Sequence, residues 1–521
     1  MMTTTSLAHP RAAVLLAPPK APRRTRSPWV WRCLVAAIVV LALATRVVYS
    51  LRHSDVIDLQ GYDSGVYYSA ADSLVHGRLP YRNFLFVETP GIAVLVAPFA
   101  LLGTITHDSV GYAAANLFFT VIGAANAGMV ATVLRRFGLS AAIFGGVFYA
   151  VTDVAVQSER FIKLEPAATL LILIALVLLG DVRSPARRRH TLVAGILLGL
   201  ACGFKIWYVV PVIVVTAALP GLRNRVRLFL AAAGSAAALM LPFFLAAPSA
   251  MFREVVVDQL GRRRTPVTVM GRLHEILGNP VVPHTVTRLL GLSVGEVTGG
   301  LGVLAAVATV FVLTRRSAGL YVWLLLSGML VLFVAPSFFD YYTSLTSAPL
   351  ALVLGVGFAR LTALVSTRTG RLALTSSALV GLTLLNLPGQ WHAAPEPQPS
   401  IGLRRAVLAV PGCVVSDNPE ILAATDVLSR DLVRGCVVWP DVTGWTYDAD
   451  SGMRDGVYTP RSKNQRWQRH VTGYLTSGAA VIAYRPETEL DARSRRVLAS
   501  GPELFHDGPW TLYATPRHTP A

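Results

Sequence analysis

Asp63 is the first residue in this chain with a chemical argument attached to it. It lies in the stretch Asp55 to Gly103, where acids, tyrosines and hydroxyl residues crowd between apolar runs. Tyr67, Tyr68, Ala71, Leu74 and Val75 follow it at helical spacing, and Gly77 with Pro80 ends the run. A segment this polar does not cross a bilayer, yet segments that can cross one flank it. That is the composition of a catalytic loop lying on a membrane surface; an ordinary connecting loop is the competing reading. Three further polar features fall on the same side of the membrane in the topology derived below. The turn 157–166 packs Glu159, Arg160, Lys163 and Glu165 into a short re-entry between helices. The loop Pro248 to Gly295 carries an amphipathic stretch, Met251 to Leu260, followed by Arg262, Arg263 and Arg264. Asp340, Tyr341 and Tyr342 sit at the mouth of a later helix. Charged groups gathered near a membrane surface point to function.

The elements that must position these groups follow from composition. Hydrophobic residues make up 53% of the 521 and charged residues 15%, with a mean hydropathy of +0.53, which places the chain among polytopic membrane proteins. The formal charge of +18 comes from short arginine clusters between apolar runs, where they set orientation, and not from a basic stripe that would bind nucleic acid. Residues 1–28 read as a disordered cytoplasmic tail ending in Arg23, Arg24 and Arg26. The first apolar run reads as an uncleaved anchor, since Arg46 and Arg52 follow it and no small-residue cleavage site does.

Eleven spanning helices are expected, near 30–50, 110–134, 139–157, 163–180, 190–204, 206–220, 226–247, 296–314, 318–336, 344–364 and 371–388. They put the clusters at Arg135–Arg136, Arg187–Arg189, Arg223–Arg227, Arg315–Arg316 and Arg368–Arg371 on the side of the N-terminal tail. Gly91 to Gly103 is too short to span comfortably and reads as interfacial or half inserted. Thr191 to Pro220 is long for one crossing, and a lysine at the bilayer centre is expensive. The run is therefore broken at Lys205, which goes to the outer surface.

The expected organisation is a transmembrane domain over 29–388, with a first extracytoplasmic loop at 51–109, then a linker at 389–400. An extracytoplasmic soluble domain follows over 401–521, small and α/β, punctuated by Asp417–Asn418–Pro419 and Asp507–Gly508–Pro509. An odd number of crossings places this domain in an oxidising compartment, so Cys413 and Cys436 are expected to pair; Cys33 and Cys202 lie in apolar runs as core residues. The cysteines and histidines show no metal-ligand spacing, and no internal repeat is evident.

Asp63 in YDSGVYYSAADSLVHGRLPY, followed by ETPGIAVLVAPFALLG, resembles the first outer loop of the GT-C membrane glycosyltransferases. That superfamily holds protein O-mannosyltransferases, lipid A aminoarabinose transferases and polyprenyl-phosphate-mannose-dependent enzymes of actinobacteria. Glu165–Pro166 resembles its second-loop acid, and GLACGFK, ending at Lys205, its small-residue helix that finishes in an outward lysine. The resemblance covers roughly residues 30–345. A single Asp63 stands where several subfamilies have an acidic pair, Thr89–Pro90–Gly91 where a Pro–Pro is common, and Glu165 where some relatives have aspartate.

The resemblance implies transfer of a sugar from a polyprenyl phosphate to a cell-envelope acceptor, a glycan, glycolipid or protein, on the outer side of the plasma membrane. Asp63 would be the general base, its pKa raised towards neutrality by burial. The leaving phosphate needs cations, for which Lys205, Arg160, Lys163 and Arg262–Arg264 are the candidates. Glu165 would orient a sugar hydroxyl or pair with Lys163 or Arg160, Glu88 would touch the acceptor, and Tyr341 with Tyr342 the lipid carrier. One family branch uses a divalent ion; here Asp63 and Glu165 are the only ligands in view, and the metal stays open, as do the sugar and linkage. Each assignment has a plainer rival. Asp63 also fits as the cap of a helix Ser64–Val75, with Asp58 as reserve base and Asp55 a solvated acid. The 157–166 charges also fit a structural salt-bridge cluster, the arginine trio a site for anionic headgroups, and the tyrosines an interfacial belt. Two other function classes fit the architecture: a transporter or flippase of lipid-linked sugars, and an inactive scaffold that binds cell-wall polymer. Acids gathered at one surface, without repeated halves, weigh against transport.

Overall fold

The computed structural model describes residues 28–53, 61–181, 187–262, 264–277, 291, 294–314, 318–386, 397–448, 453–454, 457–484 and 490–515. Asp55, Asp58, Arg263, the tail before Pro28 and most of the linker lie outside the described residues.

Helices dominate the first three quarters of the chain. Among the described residues four are long and apolar enough to cross a membrane: Pro28–Leu51, Asp108–Phe137, Leu222–Ala246 and Asp340–Leu364. Gly91–Ile105, Leu139–Val151, Leu164–Leu179, Ile206–Ala218 and Gly319–Val334 are apolar but shorter. Two apolar runs are interrupted, one read in the sequence as a single crossing and one already broken there at Lys205. The run 139–157 stops at Val151, because Thr152 turns to an extended conformation and a separate short helix restarts at Asp153. The run Thr191 to Pro220 ends its first helix at Cys202, and a 3₁₀ turn begins after Lys205. That helix, Arg188–Cys202, packs tightly on Leu222–Ala246. A Cβ at Gly199 would lie 2.0 Å from the Ala232 carbonyl oxygen, so only glycine allows the approach.

Gly91–Ile105 has 15 residues, about 22 Å of helix against a hydrocarbon core of about 30 Å. Ile92, Ala93, Val96 and Ala100 form its buried stripe, and it packs against the helices Tyr62–Val75 and Asp108–Leu134.

Residues after 400 build a separate layer. Its strands are β1 (Val414–Ser416), β2 (Met453–Arg454), β3 (Val457–Tyr458), β4 (Ala480–Tyr484), β5 (Glu503–Asp507) and β6 (Trp510–Ala514). The larger sheet has the order β1-β4-β6-β5, with β1 parallel to β4 and the other pairs antiparallel. The parallel pair requires a crossover, and the helices Pro419–Ala424, Leu428–Val433 and Gln465–Leu475 fall within it. Gln465–Leu475 is capped by Asn464, whose side chain accepts from the amides of Arg466 and Trp467, and it buries Trp467, Val471 and Leu475. Cys413 and Cys436 are joined by a disulfide.

This C-terminal module sits directly on the helix Tyr62–Val75. One hydrophobic cluster runs through both, including Tyr68, Phe86, Ile421, Leu428 and Leu512. Polar ties reinforce it: the Tyr112 hydroxyl donates to Glu420, and Arg78 donates to the Cys436 carbonyl at 2.7 Å. The loop helix bearing Asp63 is thus held between membrane helices and the C-terminal layer.

Candidate functional site

Asp63 lies in the first turn of Tyr62–Val75, but the position ahead of that helix belongs to Gly61, at φ 108°, and no side chain caps it. The capping role is therefore not the one Asp63 fills. Its Oδ2 instead accepts from Lys163 Nζ at 2.7 Å, across 100 residues of sequence. Lys163 precedes the helix Leu164–Leu179, and its ammonium also lies 3.9 Å from the centre of the Tyr341 ring. A second acid–lysine pair stands beside the first. Lys205 Nζ donates to Glu165 Oε1 at 3.0 Å and lies 3.8 Å from the Tyr342 ring and 4.4 Å from Trp207. Arg262 closes the group, donating to the Tyr342 hydroxyl at 3.0 Å and standing 3.5 Å from a Glu88 carboxylate oxygen.

These side chains border one cavity of about 420 Å³. Asp63, Glu88, Lys163, Lys205, Arg262, Tyr341 and Tyr342, all singled out in the sequence, line it together. Glu165 does not. It is almost fully buried behind Lys205, and among the described residues its Oε2 has no hydrogen-bond partner. Arg160 is also off the wall, its guanidinium over the rings of Tyr49 and Phe161 at 4.6 Å each. Arg264 is exposed and away from the cavity. Three of the turn's four charges find ion-pair partners outside it. Glu159 turns inward to Arg46, Lys163 reaches Asp63, and Glu165 pairs with Lys205 in place of either expected neighbour.

The electrostatics correct a second expectation. Burial is the largest single influence and pushes the Asp63 carboxyl upward, but the charge and hydrogen bond of Lys163, the Tyr341 hydroxyl and the more distant Lys205 together outweigh it. The pKa falls below the ordinary carboxylate value. Glu88 behaves oppositely: burial raises it, only partly offset by Lys205 and Arg262. One wall of the cavity thus holds a fully ionised carboxylate and another a carboxyl shifted towards neutrality.

The loop holding Glu88 is fixed by the helical stretch after Pro248. Glu254 accepts from the Phe86 amide at 2.8 Å, and Gln259 donates to the Val87 carbonyl at 2.6 Å. Among the described residues no three His, Cys, Asp or Glu side chains come together as metal ligands. Asp63 and Glu165, the pair left open for a metal, each face a lysine.

The cavity also has a wall that the sequence reading did not assign to the site. Tyr62, Tyr67, Asp441, Thr443, Gly444 and Arg461 line it. Tyr62 carried a signal as the neighbour of Asp63. Asp441 to Arg461 carried none, lying some 380 positions away without periodicity or motif.

Residues 28–382 match a family described as "Domain of unknown function (DUF4401)". The chain belongs to that family. No curated protein sequence matches it. Among solved structures, it is similar to ArnT from Cupriavidus metallidurans in the apo state, with a TM-score of 0.59 at 15% identity over 93% of this chain and 97% of that one. The same ArnT bound to undecaprenyl phosphate gives 0.52 at 14% identity, over 95% and 99%. An apo oligosaccharyltransferase from Archaeoglobus fulgidus gives 0.54 at 12% identity, over 88% and 70%. At these identities the likeness is one of fold alone.

Proposed function

We propose that this member of the DUF4401 family is a GT-C-type membrane glycosyltransferase that moves a sugar from a polyprenyl-phosphate donor to an envelope acceptor. The reading also takes the cavity and the C-terminal module to lie on the extracytoplasmic side, with the N-terminus cytoplasmic. One observation carries it: a carboxylate, two lysines and an arginine converge on a single cavity, in a fold shared with an ArnT that binds undecaprenyl phosphate.

Asp63 is the proton acceptor. The acceptor hydroxyl oxygen attacks the anomeric carbon, its proton passes to Asp63, and the bond from that carbon to the phosphate oxygen breaks. The polyprenyl phosphate leaves as an anion already stable in water, so the site needs cations more than a general acid. Lys163, Lys205 and Arg262 are those cations. The lowered pKa of Asp63 has a use here. The resting carboxylate is ionised at neutral pH but weakly basic while Lys163 holds it. An arriving phosphate competes for Lys163, and Asp63 then gains basicity in the presence of the donor. Glu165 acts behind the cavity by holding Lys205 in place.

The test is transfer of radiolabelled sugar from polyprenyl-phosphate donors to endogenous acceptors in membranes of a deletion strain carrying the wild-type or Asp63→Asn protein. Label incorporation that depends on the wild type and vanishes with the variant is expected. Equal incorporation in both would remove Asp63 from the chemistry. Incorporation in neither, across mannosyl and arabinofuranosyl donors, would overturn the transferase reading.

A further inference from the structure

The wall contributed by the C-terminal module has a use of its own. Asp441 is only 6% exposed and lines the cavity. Its Oδ1 accepts three hydrogen bonds, from the Tyr62 hydroxyl at 3.0 Å, the Thr443 hydroxyl at 3.0 Å and the Gly444 amide at 2.7 Å. Among the described residues Oδ2 receives none. A Cβ at Gly444 would fall 2.4 Å from Oδ2, so the glycine keeps the space beside that oxygen clear. Three donors on one oxygen fix the carboxylate plane and leave the other oxygen preorganised to accept a hydrogen bond. The anchor is also well placed. Tyr62, which accepts in turn from the Thr443 amide at 2.8 Å, is the residue next to Asp63.

The same short loop carries aromatic rings on either side of Asp441. Trp439 stacks on Tyr474 with centroids 4.3 Å apart and planes 6° from parallel. Trp445 lies 4.8 Å from Trp439 and 4.5 Å from the His470 ring. Both tryptophans are half-buried and His470 is exposed, so the cluster reaches the surface, and its two indoles flank in sequence the Asp441 that lines the cavity. A fixed carboxylate oxygen on the same loop as two partly exposed indoles matches a ligand with hydroxyls on its rim and an apolar C–H face. That ligand class is a neutral saccharide.

We infer that the loop Trp439–Thr446 is the acceptor subsite, taking a neutral oligosaccharide whose hydroxyl binds Asp441 and whose ring packs on Trp439 or Trp445. The inference rests on the transferase reading, and the experiment keeps the two apart. Transfer is measured on the wild-type protein. Acceptor binding is measured separately on full-length Asp63→Asn protein in detergent, where no turnover consumes the ligand. The probes are radiolabelled α-mannotetraose and α-arabinofuranotetraose in equilibrium dialysis, with undecaprenyl phosphate binding as the control.

At least one oligosaccharide should bind saturably. Adding Asp441→Asn or Trp445→Ala should weaken that binding about tenfold or more, with undecaprenyl phosphate binding and the unfolding temperature unchanged. Trp445→Phe should recover part of the loss, since a ring still covers the sugar face. Failure of both oligosaccharides to bind while undecaprenyl phosphate does overturns the inference. So does binding that survives both substitutions, or saturable binding of a Ser/Thr-rich peptide in place of a saccharide. Transfer absent from the wild type, with oligosaccharide binding intact and lost in the variants, would overturn the transferase reading alone.

Discussion

Two of the acid–base pairs made by one ten-residue turn are built differently. Glu159 faces Arg46 at 2.5 Å, and its other oxygen accepts from Asn126 at 2.6 Å and Tyr149 at 2.7 Å. Arg46 is fully buried and also donates to the Ala42 and Ala150 carbonyls. Neither residue borders the cavity. Asp63 and Lys163 instead leave the carboxylate 30% exposed on a cavity, with aromatic faces as the lysine's remaining company. The first pair is closed on itself and can only hold helices together. The second keeps one side open, where a ligand can replace a partner. Charge and burial alone do not separate structure from chemistry here; the open side does.

The largest effect expected from this contrast is on turnover. Asp63→Asn keeps the size of the side chain and its place near Lys163 but cannot take a proton. It should lower sugar transfer by about 10²–10⁴-fold, with expression and thermal unfolding close to wild type. If more than about a tenth of transfer survives, the carboxylate is not the base.

Glu159→Gln should give the reverse signature. It leaves the Arg46 guanidinium buried without a counter-charge, which costs about 3–5 kcal/mol of stability. Turnover per folded molecule should barely change. A denaturation series in detergent alongside a transfer assay separates the two, and a Glu159→Gln protein of normal stability but poor turnover would erase the contrast.

Lys205 sits between these extremes, since one partner is buried and its other side meets the cavity. Lys205→Gln retains a donor for Glu165 while removing the charge that would hold a phosphate. Donor affinity should fall about 10- to 100-fold, with the maximal rate far less affected. A change in maximal rate at constant donor KM would move Lys205 from binding to catalysis.

How much of this was legible beforehand varies with the physics. Lys205 was, because a lysine inside a long apolar run has few affordable positions, and the chain breaks there. The convergence of Asp63, Glu88, Lys163, Arg262 and the two tyrosines followed from assigning polar loops to one side of a membrane. The pairing pattern was not legible. Four charges within seven residues look like neighbours in sequence, yet helix geometry sends Glu159, Lys163 and Glu165 to separate partners. Helix lengths were misread where a polar step such as Thr152–Asp153 interrupts an apolar run. The Asp441 wall depends on tertiary docking across 379 residues, which leaves no local pattern to read.

The smallest expected effect is a shift in pH dependence, and it tests the open pair most directly. A carboxyl whose pKa is depressed on folding adds stability that is present above its unfolded pKa and lost as pH falls through the folded one. Lys163, with help from Tyr341 and Lys205, overcomes burial and puts Asp63 in this class. The acid limb of kcat/KM, which reports the free enzyme, should therefore lie below the ordinary carboxylate range. Replacing Lys163 by methionine removes the dominant downward influence and leaves burial, which acts upward. The limb should then move towards neutral pH, and the Asp63 share of the stability lost on acidification should disappear, because a carboxyl raised by burial gains stability as pH falls. Glu165→Gln, acting on the neighbouring pair, should leave the limb nearly where it was. If Lys163→Met and wild type share the same acid limb, the 2.7 Å contact between Lys163 and Asp63 does not control the base, and the proposal that phosphate frees Asp63 by competing for Lys163 fails with it.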